Sequence, residues 1–535
     1  MRRKSISIIL IAAMLAMGST GCATLNTTGS SGSGSVNEVT QASQTDGIQI
    51  QLSNDKITTD SNSVEISDNV VTITEAGTYV LSGELSDGRI VVDTDKDAEV
   101  ELVLNGVTLT CSNYAPIKIV KAGTTTITLA DGTENTLNDG ATYDLEDEDD
   151  NTDAVIFSKD DLVLQGGGAL YINGAYKHGI VCKDNLEIKD GTYIIEAAED
   201  GVNANDSLTV NGGIFHISAG DDGMHVDEIF TVNNGDITVA ESYEGLEGHQ
   251  VIINNGTITI TSSDDGINSN SGSNSSSDTD NAQADVQTDA QAEAGQQSGN
   301  PPELPDGTTP GGNSEMPEMP DGTTPGGNGE MPEMPDGTTP GGNSEMPEMP
   351  DGTTPGENGE MPEMPDGTTP GANGEMQNGG IPGNGGGMID MDADEESLIQ
   401  INGGTITINA GGDGLDSNGV LEVTGGTVYV SGAANNGDGA LDYGISASIT
   451  GGTVIAAGFS GMAEGFGSDS TQLSYLYNTS QTMSAGTEII VKDSSGAVIL
   501  SWAPDKEFNS VVVSSPEFTS DETYTIVIGD LEDSL

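Results

Sequence analysis

An acidic residue followed by glycine returns about every 22 residues through the middle of this 535-residue chain. The glycines of four such pairs are Gly201, Gly223, Gly245 and Gly266, which are separated by 22, 22 and 21 residues. A fixed period of this length predicts a solenoid, in which each repeat forms one turn and stacks on the next. Each repeat contains three short, apolar-alternating segments without a helical one between them. The sequence therefore predicts an all-β fold, a right-handed parallel β-helix with rungs of ~22 residues.

The repeat is interrupted once and then resumes. Residues 271–396 are first rich in Ser, Asn, Gln and Asp, and then carry a fifteen-residue repeat, PDGTTPGGNSEMPEM, that begins at Pro305. Because such a composition cannot bury a core, we predict a long disordered insertion. From Leu398 the β pattern returns, as in INGGTITINAGGDGLDSNG. The prediction is thus one interrupted solenoid and not two domains joined by a linker.

The sequence divides into six predicted parts. They are a lipoprotein-type signal peptide (1–22), a flexible tether (23–46), the first part of the β-helix (47–270), the disordered insertion (271–396), the continued β-helix (397–460) and a C-terminal antiparallel β cap (461–535).

The first 22 residues have the pattern of an export signal. Basic residues at Arg2, Arg3 and Lys4 precede an apolar stretch that is too short to span a membrane stably. Small residues then lead to Cys22, as at the cleavage site of a bacterial lipoprotein. We expect lipidation of Cys22 and a location on the extracellular face of the membrane, and ordinary secretion is the alternative.

The charge balance limits the kinds of partner. The chain has 86 acidic and 14 basic residues, a formal net charge of −72. This excess disfavours nucleic acid and anionic membrane surfaces, and it favours cations or ligands reached through cations. A membrane contact is expected only through the N-terminal lipid.

Oxygen-bearing side chains follow the acidic-Gly pairs and would stack from turn to turn. Parallel strands lie ~4.8 Å apart, and two carboxylates at that spacing repel by about 1 kcal/mol in water and by several times more where they are partly buried. Calcium would relieve this repulsion, because it takes six to eight oxygen ligands in irregular geometry. The candidate metal ligands are Asp200, Asn203, Asn205, Asp222, Asp227, Asp265, Asn268, Asp413, Asp416, Asp438 and Asp442.

One stretch strengthens the calcium prediction, although a simpler explanation stays open. Residues Gly411 to Asp416 match the G-G-x-G-x-D turn of calcium-binding β-rolls. The alternative is that Asp-Gly and Asn-Gly recur only because they form tight turns.

Several segments resemble a known family. They are GTYVLSGELSDGRIVVD, TITLADGTENTLNDG, AVIFSKDDLVLQGGGALYING and the EDG and DDG repeats. They are similar to the bacterial exported carbohydrate-binding β-helix proteins typified by a clostridial cellulose- and polygalacturonate-binding protein. The resemblance covers the chain from about Ser63 to the C-terminus, apart from the insertion. It implies a pectate-lyase-like right-handed parallel β-helix, bound calcium at the Asp-Gly positions, and binding of plant-wall polysaccharide without established cleavage. The chain departs from the repeat at Glu244 and at His178.

Three functions remain open from the sequence. We favour calcium-dependent binding of an acidic, polygalacturonate-like polysaccharide over cellulose, because aromatic residues, which hold neutral glucans, make up only 4 % of the chain. The first rival is a calcium-dependent pectate-type lyase, for which Lys177, Lys183 and Lys189 are the candidate bases. The second is a structural cell-envelope protein in which the Pro-rich repeat acts as a spacer.

Overall fold

The computed structural model describes residues 46–145, 150–270 and 393–535. Within these ranges every regular element is a β-strand, and no helix there is long and apolar enough to cross a membrane. Cys22, residues 23–45 of the predicted tether and residues 271–392 of the predicted disordered insertion lie outside the described residues, so their roles stay predictions.

Thirty-four strands form one sheet that winds around the solenoid axis. Each turn contributes one strand to each of three faces, which we call A, B and C. Face A contains β1 (Ile48–Leu52), β5 (Gly77–Leu85), β7 (Glu99–Cys111), β9 (Thr124–Leu129), β12 (Asp161–Gln165), β15 (Asn185–Ile188), β18 (Ser207–Val210), β20 (Met224–Val232), β22 (Leu246–Ile253), β25 (Leu398–Ile401), β28 (Val420–Val423) and β31 (Ser446–Ile449).

Face B follows face A along the chain. It contains β10 (Glu134–Asp139), β13 (Ala169–Gly174), β16 (Thr192–Ala197), β19 (Ile214–Ser218), β21 (Asp236–Glu241), β23 (Thr257–Thr261), β26 (Thr405–Asn409), β29 (Thr427–Ser431) and β32 (Thr453–Gly458), together with the last residues of β5 and β7.

Face C closes each turn before the chain returns to face A. It contains β4 (Val70–Ile73), β6 (Arg89–Asp93), β8 (Ile117–Lys121), β11 (Ala154–Ser158), β14 (His178–Cys182), β17 (Val202–Ala204), β24 (Ile267–Ser269), β27 (Leu415–Ser417) and β30 (Leu441–Tyr443), together with the first residues of β20 and β22.

Neighbouring turns pair in parallel and in register, as in Leu186 with Leu208 and Leu208 with Phe230 on face A. The structure thus confirms the predicted all-β parallel solenoid, with about eleven turns. The turns on either side of residues 271–392 are direct neighbours. Ile258 of β23 pairs with Ile406 of β26, and Ile267 of β24 pairs with Leu415 of β27.

The core is a set of apolar columns that run along the solenoid axis. On face A, Leu186, Leu208, Phe230, Val251 and Ile399 occupy successive turns and are fully buried. Alternation within each short strand places these side chains inward and polar ones outward. The two cysteines in this region, Cys111 and Cys182, are both buried free thiols.

Antiparallel strands lie at both ends of the solenoid. At the N-terminal end, β2 (Thr58–Thr59) pairs with β1 and β3 (Val64–Ser67) pairs with β4. At the C-terminal end, β36 (Phe508–Ser514) pairs with β32 and with β33 (Ser474–Met483). A separate antiparallel sheet is formed by β34 (Ile489–Lys492), β35 (Val498–Trp502), β37 (Thr525–Ile528) and β38 (Leu531–Ser534). Such pairing removes the open edges that parallel stacking would otherwise expose.

The recurring glycines serve two different purposes. In the turn from face A to face B, Gly213 and Gly404 have φ angles of 102° and 85°, a region that disfavours other residues. The glycine of the acidic-Gly pair is required by crowding instead. A Cβ atom at Gly223 would lie 2.5 Å from the carbonyl oxygen of Gly245 and 2.8 Å from both Cγ atoms of Val239.

We therefore expect Gly223→Ala to lower the free energy of unfolding by about 1–3 kcal/mol, the usual cost of forcing an extra methyl group into a packed interior. Gly465→Ala is the matched control, because its Cβ would meet its nearest neighbour, Leu476, at 3.4 Å, an ordinary contact distance. Thermal unfolding followed by circular dichroism measures both variants. Equal unfolding midpoints for the two would contradict the crowding argument.

Candidate functional site

The acidic-Gly pairs lie in the turn between faces B and C. Two columns of side chains, one in this turn and one on the strand that follows it, run along the solenoid, and we call the two columns together the acidic ladder. The turn column contains His178, Asp200, Asp222, Glu244, Asp265 and Asp413. The strand column, three residues further along each turn, contains Asn203, His225, Glu247, Asn268, Asp416 and Asp442, which pair in register from turn to turn.

In the turn column, carboxylates accept backbone hydrogen bonds from the next turn. Asp200 Oδ1 accepts from the amide of Asp222 at 3.1 Å, and Asp222 Oδ1 accepts from the amide of Glu244 at 3.3 Å. Asp265 Oδ1 accepts from the amide of Asp413 at 2.6 Å, and Asp413 accepts from the amide of Gly439. One oxygen of these acids thus satisfies a backbone N–H group, and the second oxygen remains for other contacts.

The first ladder rungs contain their own counter-charges. His178 Nδ1 lies 3.1 Å from Asp200 Oδ2, and Asn203 Nδ2 donates to the same oxygen at 2.8 Å. Although burial favours the neutral forms, the contact between His178 and Asp200 raises the pKa of the histidine and lowers the pKa of the aspartate. This pair balances its own charge without a metal ion.

In the middle rungs, His225 and the side-chain amides of Asn268 and Asn270 contact the carboxylates. His225 Nδ1 lies 3.3 Å from Asp222 Oδ2 and also contacts Glu247 Oε2. Asn268 Nδ2 donates to Glu244 Oε2 at 3.0 Å. Burial alone would raise the pKa of Glu247, but the contact with His225 lowers it to about 2.

The later rungs hold a cluster of carboxylates without such partners. One carboxylate oxygen from each of Asp265, Asp413 and Asp416 lies within 4.8 Å of the others. Asp442 follows Asp416 on the next turn. Within the part of the chain that the structure describes, no basic side chain forms an ion pair with the three clustered acids. We call Asp265, Asp413 and Asp416 the acid cluster.

The electrostatics of the acid cluster show the strain of this arrangement. Burial and the neighbouring carboxylates raise the pKa of Asp413 and of Asp416 to about 8, and burial together with Asp264 raises the pKa of Asp265 to about 7. Each carboxyl group therefore resists ionisation unless a cation arrives.

Two further features surround the acid cluster. Asn268, which is 6 % exposed, precedes Asp416 in the strand column, and its Oδ1 has no hydrogen-bond partner among the described residues. At Gly412, a Cβ atom would lie 2.4 Å from Oδ1 of both Asp264 and Asp265. Glycine is therefore required at this position, because any side chain would collide with the two carboxylates.

The other predicted ligands lie elsewhere. Asp438 is half-buried and accepts a hydrogen bond from Asn435, while Gly439 occupies the next position of the turn column. Asp227 contacts His225 Nε2 at 3.2 Å outside the columns. Asn205 follows β17, where its amide donates to the carbonyl of Cys182 at 3.0 Å.

The predicted lysine bases lie at early turns. Lys177 Nζ is 3.6 Å from Glu199 Oε2, and Lys189 Nζ is 3.2 Å from Glu187 Oε2. Lys183 follows β14, and its amide donates to the carbonyl of Ser158. In the turn between faces B and C, backbone hydrogen bonds connect Lys177 with Asp264, the residue before Asp265, in four successive steps. Four turns correspond to ~19 Å at the spacing of parallel strands.

The sequence analysis missed His225 as a site residue. Its signal was present, because His225 stands three residues after Asp222, as Asn203 does after Asp200 and Asp416 after Asp413. Aligning the repeats position by position would have shown a basic residue inside an acidic column.

Comparisons with known proteins find similarity in the first part of the chain. Residues 67–287 match the family of carbohydrate-binding domain-containing proteins. A carbohydrate-binding domain-containing protein of Acetivibrio thermocellus is 37 % identical over 175 residues, which are 32 % of this chain and 61 % of that relative. The chain thus spans less than two thirds of the relative's length. Residues 67–287, which the family model matches, include Asp265 and Asn268 but not Asp413 or Asp416.

A solved structure is also similar. It is that of the polysaccharide lyase-like protein from C. thermocellum, as a gadolinium derivative, with 34 % sequence identity. The similarity covers 40 % of this chain and 91 % of that chain, with a TM-score of 0.40.

The raised pKa values predict how stability depends on pH in the metal-free protein. A carboxyl group whose pKa rises from about 4 in the unfolded chain to about 8 in the fold, as for Asp413 and Asp416, stabilises the fold fully below pH 4. This stabilisation is lost as the pH rises from about 4 through 8, because over this range the folded state still holds protons that the unfolded chain has released. In the presence of a chelator, we expect the unfolding midpoint to fall between pH 5 and about 8.5, and added calcium to restore it at high pH.

Asp416→Asn provides the comparison, because the amide removes one of the titrating groups and one charge. Its midpoint should vary less with pH than that of the wild type in chelator. Differential scanning calorimetry across this range measures the effect. An unfolding midpoint in chelator that rises toward pH 8.5 would show that the acid cluster does not dominate the pH dependence.

Proposed function

We propose that this protein binds an acidic polysaccharide of the polygalacturonate type through calcium held on the acidic ladder, and that it does not cleave the chain. The observation that carries the proposal is the acid cluster of Asp265, Asp413 and Asp416, whose carboxylates lie close together and form no ion pair with a basic side chain among the described residues. The description of the matched family supports a carbohydrate as the ligand.

The donor set of the acid cluster favours calcium among common divalent cations. Asp265, Asp413 and Asp416 offer carboxylate oxygens, and the unpartnered Oδ1 of Asn268 offers an amide oxygen beside them. Calcium takes carboxylates, amide oxygens and water together in irregular geometry, whereas softer metals prefer nitrogen or sulfur.

The net charge explains why a cation would be needed. A chain with a formal net charge of −72 repels a polyuronate unless a cation bridges the two. Calcium at the acid cluster would neutralise part of the ladder and coordinate sugar carboxylates with its remaining positions. Affinity for the glycan should therefore follow calcium occupancy.

An exposed aromatic side chain stands beside the acid cluster. Tyr243 is 48 % exposed, and its carbonyl accepts the amide of Asp264 at 2.9 Å, so the two residues are neighbours on successive turns. A hydrogen bond to Asp264 raises the pKa of the Tyr243 hydroxyl above its ordinary value. We propose that one sugar ring packs on Tyr243 while its acidic group faces the bound calcium.

Lyase activity is the second candidate, and the positions of the lysines weigh against it. A pectate-type reaction needs a base beside the metal-bound uronate, and Lys177 lies about four turns, ~19 Å, from the turn of the acid cluster. Lys506 lies nearer to the acid cluster, because its ammonium group donates to the carbonyl of Ala410, three residues before Asp413. Burial lowers the pKa of Lys506, but this hydrogen bond holds its ammonium group at the backbone. We therefore favour binding without cleavage.

Replacing one carboxylate of the acid cluster tests the proposal. We expect Asp413→Asn to lower calcium affinity by about tenfold or more, because charge count sets the affinity of calcium sites. Co-sedimentation with polygalacturonate in calcium should fall with it. Isothermal titration calorimetry measures the calcium affinity, and ultraviolet absorbance in the same mixtures reports unsaturated products.

Asp236→Asn is the matched control, since Asp236 is an exposed acid at the start of β21 on face B and belongs to neither column of the acidic ladder. It should leave both affinities unchanged. Glycan binding that persists unchanged in chelator would contradict the calcium role. Rising ultraviolet absorbance with the wild type would show that the protein cleaves the glycan as a lyase.

Tyr243→Ala tests the sugar-packing surface. We expect glycan affinity to fall by about tenfold, equivalent to ~1.4 kcal/mol, with calcium affinity unchanged. Tyr171→Ala is the control, because Tyr171 is 37 % exposed on β13 of face B, away from the acidic ladder. Equal glycan affinities for the two variants would show that Tyr243 does not contact the sugar.

A further inference from the structure

A second group of metal-binding side chains lies on the ladder, and its donor set differs from that of the acid cluster. One ligand atom from each of Asp222, His225 and Glu247 lies within 4.8 Å of the others. Asp222 is in the turn before β20, His225 is the second residue of β20, and Glu247 follows His225 in register on β22. We call these residues the histidine triad.

In the histidine triad, each side chain uses one polar atom inside the group and has its other polar atom held from outside. His225 Nε2 lies 3.2 Å from Asp227 Oδ1. Glu247 Oε1 accepts from Asn270 Nδ2 at 2.8 Å, and Asp222 Oδ1 accepts from the amide of Glu244 at 3.3 Å. The three inward atoms are therefore oriented toward one another by contacts that do not involve the triad itself.

This arrangement has the organisation of a metal centre with its supporting shell. Histidine ligands of metal sites almost always pair their second ring nitrogen with a carboxylate or carbonyl, as His225 does with Asp227, and ligating carboxylates are likewise held by hydrogen bonds. The side chains of Asp222, His225 and Glu247 are 10 %, 23 % and 13 % exposed, so the group is mostly desolvated but open to an entering ion.

We propose that Asp222, His225 and Glu247 form a site for a first-row transition-metal dication of the zinc class, separate from the calcium site. One imidazole nitrogen and two carboxylates suit such a metal, whereas calcium prefers an all-oxygen set. Three protein ligands also leave a coordination position for water or a sugar oxygen. Asp227 is a positioning residue, which acts through the ring of His225.

The two proposed metal sites are separate along the axis. The nearest ligands of the two sites, Glu247 and Asn268, stand on adjacent turns at ~5 Å, and Asp416 is one turn further along the strand column. The two sites share no ligand. The proposal therefore does not depend on calcium binding or on a polysaccharide ligand. It differs from the calcium role that the repeat predicts for Asp222 and Asp227.

The alternative is an imidazolium ion that only forms ion pairs with Asp222 and Glu247. Full-length protein in saturating calcium is titrated with Zn²⁺ by calorimetry, and Cu²⁺ is added in parallel for electron paramagnetic resonance. We expect one Zn²⁺ site in the wild type and nitrogen hyperfine structure from one imidazole in the Cu²⁺ spectrum.

His225→Asn is the decisive variant, and it should fold because asparagine already occupies the strand column at Asn203 and Asn268. We expect it to lose the Zn²⁺ site and the nitrogen signal. Asp227→Asn should lower the affinity for Zn²⁺ by about tenfold, which is the lower end of the usual loss when a residue that supports a metal ligand is removed. His249→Asn is the control, since His249 contacts Asp394 outside the triad, and it should change neither readout.

Two results would overturn the proposal. One is a wild type without a Zn²⁺ site, which would leave the ion-pair alternative. The other is a Zn²⁺ site that survives His225→Asn. Asp416→Asn separates this proposal from the calcium proposal, because it should lower the affinity for calcium and leave the affinity for Zn²⁺ unchanged.

Discussion

The parallel pairing of successive turns, at ~4.8 Å, is the constraint on which the rest of this molecule depends. It places the same repeat position of each turn directly above that of the turn before, as in Ile180, Val202 and Met224 on face C. For apolar positions this stacking builds a continuous core. For acidic positions it brings like charges together, so every carboxylate in the ladder needs a partner.

The ladder answers this need differently along its length. At the early turns His178 balances Asp200, and in the middle His225 stands between Asp222 and Glu247. At the later turns, burial and the neighbouring acids raise the pKa values of Asp413 and Asp416, and no basic side chain in the described part of the chain pairs with either residue. One repeated turn thus produces sites of different chemistry, because a single side-chain exchange in a column changes the charge that its neighbours experience.

The acidic residue also has a structural role that the simple metal interpretation does not require. Asp200, Asp222 and Asp265 each accept a backbone amide from the following turn. The recurrence of acidic residues is therefore explained in part by the backbone, and it does not by itself identify metal ligands. The glycine of the acidic-Gly pair has a separate cause, since a Cβ atom there would collide with the carbonyl oxygen of the next turn.

The sequence by itself determined the all-β class, the period of the turns and the return of the solenoid pattern after residue 396, because these follow from periodic alternation and turn residues. It also named Asp265, Asp413 and Asp416 as possible ligands, but not that these three meet. Only the tertiary structure decided this, since Asp265 and Asp413 are 148 residues apart and become neighbours through parallel pairing. It likewise set Asp438 outside the turn column and placed His225 between two acids, because such contacts depend on which residues stack in register and not on their distance in sequence.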